Sequence, residues 1–173
     1  LEEEEAFQPM IYFMLGKSYY SIQNYEESVS QLERVTSAPD SVMQNSAYYL
    51  GASYLKLKHN NYALQAFKKA STYDYNYVIK EDAYFNYAKL CYQLELPFDN
   101  TLNVFRSYLE MFSNPLHRKE IEFLMVKALE GTSQYDEAYS ALKDIHLPSI
   151  EQKKSIQQLA YFLGVKAYNL LDY

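Results

Sequence analysis

Tryptophan is absent from this sequence, and cysteine occurs once, at Cys91. A single cysteine excludes an intrachain disulfide and leaves the redox compartment open. Glycine and proline, the residues that most often interrupt helices, number only 4 and 5 among 173 residues, whereas tyrosine reaches 20. Because helix breakers are so few and large side chains so many, the composition indicates helices packed on helices.

Two further absences exclude classes of partner. The net charge of -6 argues against a nucleic-acid binder, because there is no excess of basic residues to displace the counterions of the phosphates. No apolar run approaches the roughly 20 residues that a membrane-crossing helix needs, so we expect no membrane insertion in this segment. The composition, 49% hydrophobic and 22% charged, is that of a folded globular protein.

A short pattern recurs every 35 to 38 residues. Each copy has one small or β-branched residue, here called the anchor, at Gly16, Gly51, Ala88, Val126 and Gly164. Glycine inside a helix costs roughly 1 kcal/mol relative to alanine, so its repeated use predicts that two helices approach closely. After each of the first four anchors come a second small residue and, four positions later, a large apolar residue. These pairs are Ser28 and Leu32, Ala63 and Phe67, Thr101 and Phe105 (after one inserted residue), and Ala138 and Leu142.

The pattern predicts a helix, a short turn and a second helix in each repeat. We expect the turns at Gln23, Lys58, Glu95 and Ser133, and Pro97 to open the helix that follows the third turn. The approximate repeats are residues 8–41, 42–78, 79–115 and 116–150, with a partial repeat at 151–173, all within a single array. The predicted fold class is therefore all-α.

These motifs resemble the tetratricopeptide repeat (TPR), whose first helix carries L-G-x2-Y and whose second carries A-x3-F. The matching residues are Leu50-Gly51-Ala52-Ser53-Tyr54 and Ala63-Leu64-Gln65-Ala66-Phe67, and Leu15-Gly16-Lys17-Ser18-Tyr19 repeats the first half. The resemblance covers the chain from about Gln8 to Tyr173. It implies a TPR-like right-handed superhelix of antiparallel helix pairs, with about four repeats and the first helix of a fifth.

The later repeats depart from the motif. Ala88 and Val126 replace the anchor glycine, and Glu122 falls where the first helix would normally bury an apolar side chain. The last segment would leave several apolar side chains for one helix to hide, and a terminal repeat needs a polar outer face. We therefore expect the chain to be a fragment of a longer array, in a TPR protein of bacterial type.

The sequence contains no recognisable catalytic constellation. His59, His117 and His146 are dispersed and form no metal-ligand spacing. Cys91 falls on the packing side of its helix, which is typical of a buried structural thiol, and no glycine-rich loop is present for a phosphate. We expect no enzyme activity, no metal and no cofactor.

One arrangement in the first helices is a candidate binding surface. Positions three before, one after and four after the anchor lie on one side of a helix, and we call their aromatic, apolar and lysine members the aromatic–lysine stripe. It comprises Phe13, Lys17, Tyr20, Tyr48, Leu55, Phe85, Lys89, Tyr92, Phe123, Lys127, Tyr161 and Tyr168. By resemblance to TPR proteins, this side faces a concave groove.

Two interpretations of the stripe remain open. In the first, the rings and lysines bind a protein or peptide, possibly an acidic one. In the second, the rings seal adjacent first helices together while the lysines extend into solvent. The sequence thus predicts a non-catalytic interaction scaffold, or alternatively the sensor segment of a signalling protein with a separate output domain. It leaves open the partner, the oligomeric state and the compartment, bacterial cytoplasm or periplasm.

Overall fold

A computed structural model describes residues 2–130, 140 and 150–171. In these residues the predicted all-α fold is confirmed, since they contain helices and no strand. The helices are α1 (Glu2–Ser21), α2 (Tyr25–Leu32), α3 (Asp40–Lys56), α4 (Asn60–Ala70), α5 (Tyr77–Gln93), α6 (Phe98–Met111), α7 (Arg118–Glu130) and α8 (Ile150–Leu171).

The chain divides into two compact modules, Leu1–Leu96 and Pro97–Tyr173, here the N-module and the C-module. The division falls between α5 and α6, the two helices of the repeat predicted at 79–115. The partition into five repeats of a single array, and the expectation that the chain is a fragment of a longer one, therefore stay predictions.

In the N-module, each helix packs against the next, and the first helices also contact one another, α1 against α3 and α3 against α5. The second helices supply the core residues that the repeat pattern predicts. Leu32 and Phe67 are each 2% exposed, and Ser28 and Ala63 are fully buried. The small residue and the large residue four positions later are both in the core, because they lie on the side of the second helix that faces the first helix.

The anchor glycines of the N-module sit where two helices nearly touch. A Cβ added at Gly16 would lie 2.5 Å from Leu32 Cγ, and one added at Gly51 would lie 2.9 Å from Phe67 Cγ. The Ser28 hydroxyl lies 2.9 Å from the carbonyl oxygen of Gly16, to which it donates a hydrogen bond. The predicted close approach is confirmed at these two positions.

The predicted turns at Gln23, Lys58 and Glu95 share one geometry. Each of these residues has positive φ, between 51° and 62°, although the left-handed region usually favours glycine. After α3, the amides of Lys58 and His59 donate to the carbonyls of Leu55 and Tyr54, and the same double pattern follows α1 and α5. This is the Schellman motif, which satisfies carbonyls left without partners at a helix end.

Gln44 connects α3 to the loop that leads into α5. Its side chain is fully buried, and its Nε2 donates to the carbonyls of Tyr73 and Asn76 at 2.8 and 3.1 Å. Its Oε1 accepts from the Asn76 amide at 2.8 Å. Asn76 in turn caps α5, because its Oδ1 accepts hydrogen bonds from the amides of Val78 and Ile79.

In the C-module, α7 packs against both α6 and α8. Thr101 and Phe105, which the pattern places after one inserted position, are both buried, and Pro97 immediately precedes α6 as predicted. The equivalents in the next repeat, Ala138 and Leu142, and the predicted turn at Ser133 lie outside the described residues. At Gly164, unlike at Gly16 and Gly51, no atom of the described residues lies within 4 Å of an added Cβ.

Candidate protein-interaction face

The α1 part of the aromatic–lysine stripe gathers around Tyr49 of α3. The Tyr49 ring centroid lies 6.4 Å from that of Phe13 and 5.3 Å from that of Tyr20, and Lys17 Nζ lies 5.6 Å from it. The three rings are half-buried while Lys17 is exposed. Burial raises the pKa of the Tyr20 hydroxyl, with smaller contributions from Tyr25 and Tyr49. This cluster both seals α1 to α3 and presents a cation to solvent.

Tyr49 is the residue that the sequence pattern missed. It lies two positions before Gly51, next to Tyr48, which the pattern did select. The signal that could have identified it is the pair of adjacent tyrosines, because helices that cross at an angle bring a neighbouring row of side chains into the contact.

Tyr48 serves mainly to join α3 to its neighbours. Its hydroxyl donates to Asp82 Oδ2 of α5 at 2.6 Å, and its ring meets that of Phe67 edge-on at 5.8 Å. Burial, reinforced by the hydrogen bond to the Asp82 carboxylate, raises the pKa of the Tyr48 hydroxyl. The other α3 member of the stripe, Leu55, is 37% exposed. Tyr48 therefore follows the packing interpretation.

On α5 the stripe runs from buried to partly exposed. Phe85 is only 5% exposed, and Lys89 Nζ lies 5.0 Å from its ring centroid. Lys89 and Tyr92 are half-buried. Phe85 therefore contributes to the core, and the part of α5 that a partner could reach is formed by Lys89 and Tyr92.

In the C-module the stripe residues are more open. Phe123 is 37% exposed, with Lys127 Nζ 5.6 Å from its ring centroid, and Tyr161 and Tyr168 of α8 are each 68% exposed. All three stripe lysines thus lie over an aromatic ring. A cation above a ring face is attracted to the negative side of the ring quadrupole, which explains why lysine recurs within an aromatic row.

The described residues offer little for other chemistry. Burial raises the pKa of the Cys91 thiol, against a lowering by its hydrogen bond with Tyr87, so the reactive thiolate is disfavoured. Within residues 2–130, 140 and 150–171, no group of three potential metal ligands is present. Nor does any helix in this part of the chain combine the length and apolarity required to cross a bilayer.

Comparison with known proteins supports the architecture. The solved structure of MamA MSR-1 matches with a TM-score of 0.58 and 18% identity, over 91% of this chain and 88% of that one. MamA AMB-1 matches with a TM-score of 0.63 and 17% identity, over 91% of this chain and 84% of that one. MamA is a TPR-fold protein.

The chain has an all-α, TPR-like fold. No protein-family model and no curated protein sequence matches it. Because the sequence identities are below a fifth, the similarity to MamA shows the fold only. It does not assign the roles of MamA residues to residues of this chain.

Proposed function

We propose that this chain is a non-catalytic interaction scaffold that binds an extended or helical protein segment along its first helices. The observation that carries the proposal is the Lys17 cluster, in which an exposed ammonium stands beside the half-buried rings of Phe13, Tyr20 and Tyr49. Rings of this kind offer apolar contact area with little loss of side-chain freedom.

The proposed partner segment is acidic. Lys17, Lys89 and Lys127 recur one position after an anchor, and each ammonium lies over an aromatic ring. Charges of one sign on a binding face raise the local concentration of oppositely charged segments and select against like-charged ones. An acidic segment with apolar side chains would satisfy both components of the stripe. We also propose that the chain comes from a bacterial protein, as the sequence predicted.

The test is selection from a displayed peptide library on immobilised protein, followed by affinity measurements on the enriched peptides. We expect acidic sequences to be enriched. The triple variant Lys17→Glu, Lys89→Glu, Lys127→Glu should weaken their binding by roughly 3- to 100-fold, because each exposed charge pair contributes about 0.2–1 kcal/mol.

A matched control reverses three exposed lysines outside the stripe, Lys58, Lys69 and Lys119, and so changes the net charge equally. Its affinity should stay near that of the wild type. Equal losses of affinity in both triple variants would show that the effect depends only on net charge. Enrichment of peptides without acidic residues would refute the electrostatic part of the proposal.

A further inference from the structure

Two tyrosines of the N-module form a stack that runs from the core to the surface. Tyr54 of α3 is 8% exposed, whereas Tyr62 of α4 is 64% exposed. Their ring centroids lie 5.2 Å apart, and their planes are inclined by 25°. The His59 ring lies 6.3 Å from that of Tyr62 and meets it edge-on. Because Tyr54 covers one face of the Tyr62 ring, the other face is open to solvent and its position is fixed by the buried ring.

A carboxylate is held beside this stack. Glu33, which directly follows α2, accepts a hydrogen bond from the Tyr54 hydroxyl through Oε1. Burial raises the pKa of the Tyr54 hydroxyl, and the hydrogen bond to Glu33, the charge of Glu33 and the nearby Tyr62 raise it further. The phenol therefore keeps its proton and orients the carboxylate. Glu33 is itself exposed, so its Oε2 is available to a further donor.

This carboxylate has no cation beside it. The carboxyl end of a helix favours a nearby positive charge, yet the last turn of α2 contains no basic residue. Arg34 is held by Tyr12 instead, since its Cζ lies 3.9 Å from that ring centroid and its Nη2 donates to the Tyr12 hydroxyl at 2.7 Å. Among the residues that the structure describes, no ion pair includes Glu33. Negative charge is therefore left unbalanced next to an exposed ring.

These groups together favour a cation on a long apolar stem. The carboxylate of Glu33 can bind the charge through charge-assisted hydrogen bonds, and the open face of Tyr62 offers contact area to methylene groups. A guanidinium fits better than an ammonium, because its donors lie in one plane that can stack on a ring while bonding a carboxylate. A single carboxylate supplies too few oxygen ligands for a metal ion such as Ca²⁺.

We propose that Glu33, Tyr54 and Tyr62 form a binding site for a guanidinium group, carried by an arginine residue of another polypeptide or by a small cation. Glu33 binds the charge, and Tyr62 packs against the stem. Tyr54 is a positioning residue, because it bonds to the carboxylate and stacks on the ring. The site shares no residue with the aromatic–lysine stripe and accepts the opposite charge, so it goes beyond the function proposed above.

A titration followed by NMR spectroscopy at constant ionic strength tests this site. N-acetyl-arginine amide should shift the ring resonances of Tyr54 and Tyr62 and saturate them at roughly millimolar concentration, the affinity of a few contacts. N-acetyl-citrulline amide has nearly the same shape without the charge and should bind at least about 10-fold more weakly. N-acetyl-lysine amide, which lacks the planar donors, should also bind more weakly than the arginine compound.

Agmatine, a small guanidinium compound that is not part of a chain, distinguishes the two sources of the group. Tighter binding of N-acetyl-arginine amide than of agmatine would support an arginine residue as the ligand. Tighter binding of agmatine would support a small cation at the same site.

Three variants assign the roles within the site. Glu33→Gln keeps an oxygen that can accept from Tyr54 but removes the charge, and should weaken binding of N-acetyl-arginine amide by at least about 10-fold. Tyr62→Ala should weaken it by about 2- to 5-fold. Tyr54→Phe keeps both contact groups but releases the carboxylate, so a smaller loss than that of Glu33→Gln is expected. Circular dichroism checks that each variant is folded.

The matched control is Glu26→Gln, which removes the same charge from another exposed position of α2 and should bind like the wild type. Equal losses in Glu26→Gln and Glu33→Gln would refute the site, as would equal binding of the arginine and citrulline compounds. A wild-type chain without saturable shifts far above millimolar N-acetyl-arginine amide would refute it too. The stripe lysines are intact in every variant, so these outcomes are independent of acidic-peptide binding.

Discussion

The same repeat positions are occupied differently in the two modules. In the N-module, Phe67 packs against the anchor Gly51, whereas in the C-module no described residue packs against the anchor Gly164. Four residues before the anchor, the N-module buries Ala47, and the C-module buries Glu122 at 5% exposure. Burial alone therefore does not show how much a repeat position contributes to the stability of the fold. That contribution depends on the side chain that packs opposite the position.

The largest expected effect comes from emptying a filled anchor site. Phe67→Ala removes a buried ring that contacts both Gly51 and Tyr48, and such truncations cost about 3–5 kcal/mol of stability. Tyr161→Ala, on the open surface of α8, should change stability by no more than about 0.5 kcal/mol. Urea denaturation followed by circular dichroism measures both, and similar losses in the two variants would contradict the difference between the modules.

Replacing an anchor glycine with alanine should change stability by an intermediate amount. We expect the change to have opposite signs in the two modules. Gly16→Ala places a methyl group against Leu32, and overpacking of this kind costs about 1–3 kcal/mol, more than the roughly 1 kcal/mol gained in helix propensity. Gly164→Ala meets no neighbour and should gain up to about 1 kcal/mol. Thermal unfolding of the two variants distinguishes these signs; destabilisation by Gly164→Ala would mean that its site is occupied.

The smallest effect concerns Glu122, whose Oε1 lies 3.5 Å from Arg118 Nη1. Burial raises the pKa of the Glu122 carboxyl, against the lowering effect of Arg118. The folded chain therefore holds this proton more tightly than the unfolded chain. The associated stability is complete below the ordinary pKa of glutamate and is lost as pH rises through the higher folded value.

Glu122→Gln remains neutral at every pH, and its side-chain oxygen can still accept a hydrogen bond from Arg118. The variant should therefore gain thermal stability relative to the wild type at about pH 8 but not at about pH 4. A difference in melting temperature that is constant across this range would show that Glu122 keeps an unshifted pKa.

The all-α fold and several of its core positions could be predicted from the sequence because their signals are local. Small residues at fixed spacing, a large apolar residue four positions later and few helix breakers identify the helix pairs and the core positions Leu32, Phe67 and Phe105. The turns at Gln23, Lys58 and Glu95 were located correctly. Their left-handed geometry was not predicted, because none of the three is the glycine that usually marks it.

The candidate site was only partly predictable. The stripe identified Lys17 and its aromatic neighbours on α1, but it could not separate Tyr48, which bonds to Asp82, from Tyr49, which lies at the centre of the cluster. That distinction depends on the angle and register at which α1, α3 and α5 meet, and spacing within one helix contains no information on either. The space that the described residues leave beside Gly164 could not be predicted for the same reason.

The buried amide of Gln44 has a consequence for how the N-module opens. One side chain satisfies three backbone groups in the loop before α5, while its own backbone belongs to α3. Fraying of that loop would leave buried donors and acceptors without hydrogen-bond partners. Helix α3 and the start of α5 therefore open as a single cooperative unit rather than one after the other. A disturbance in α3 is therefore transmitted directly to the start of α5.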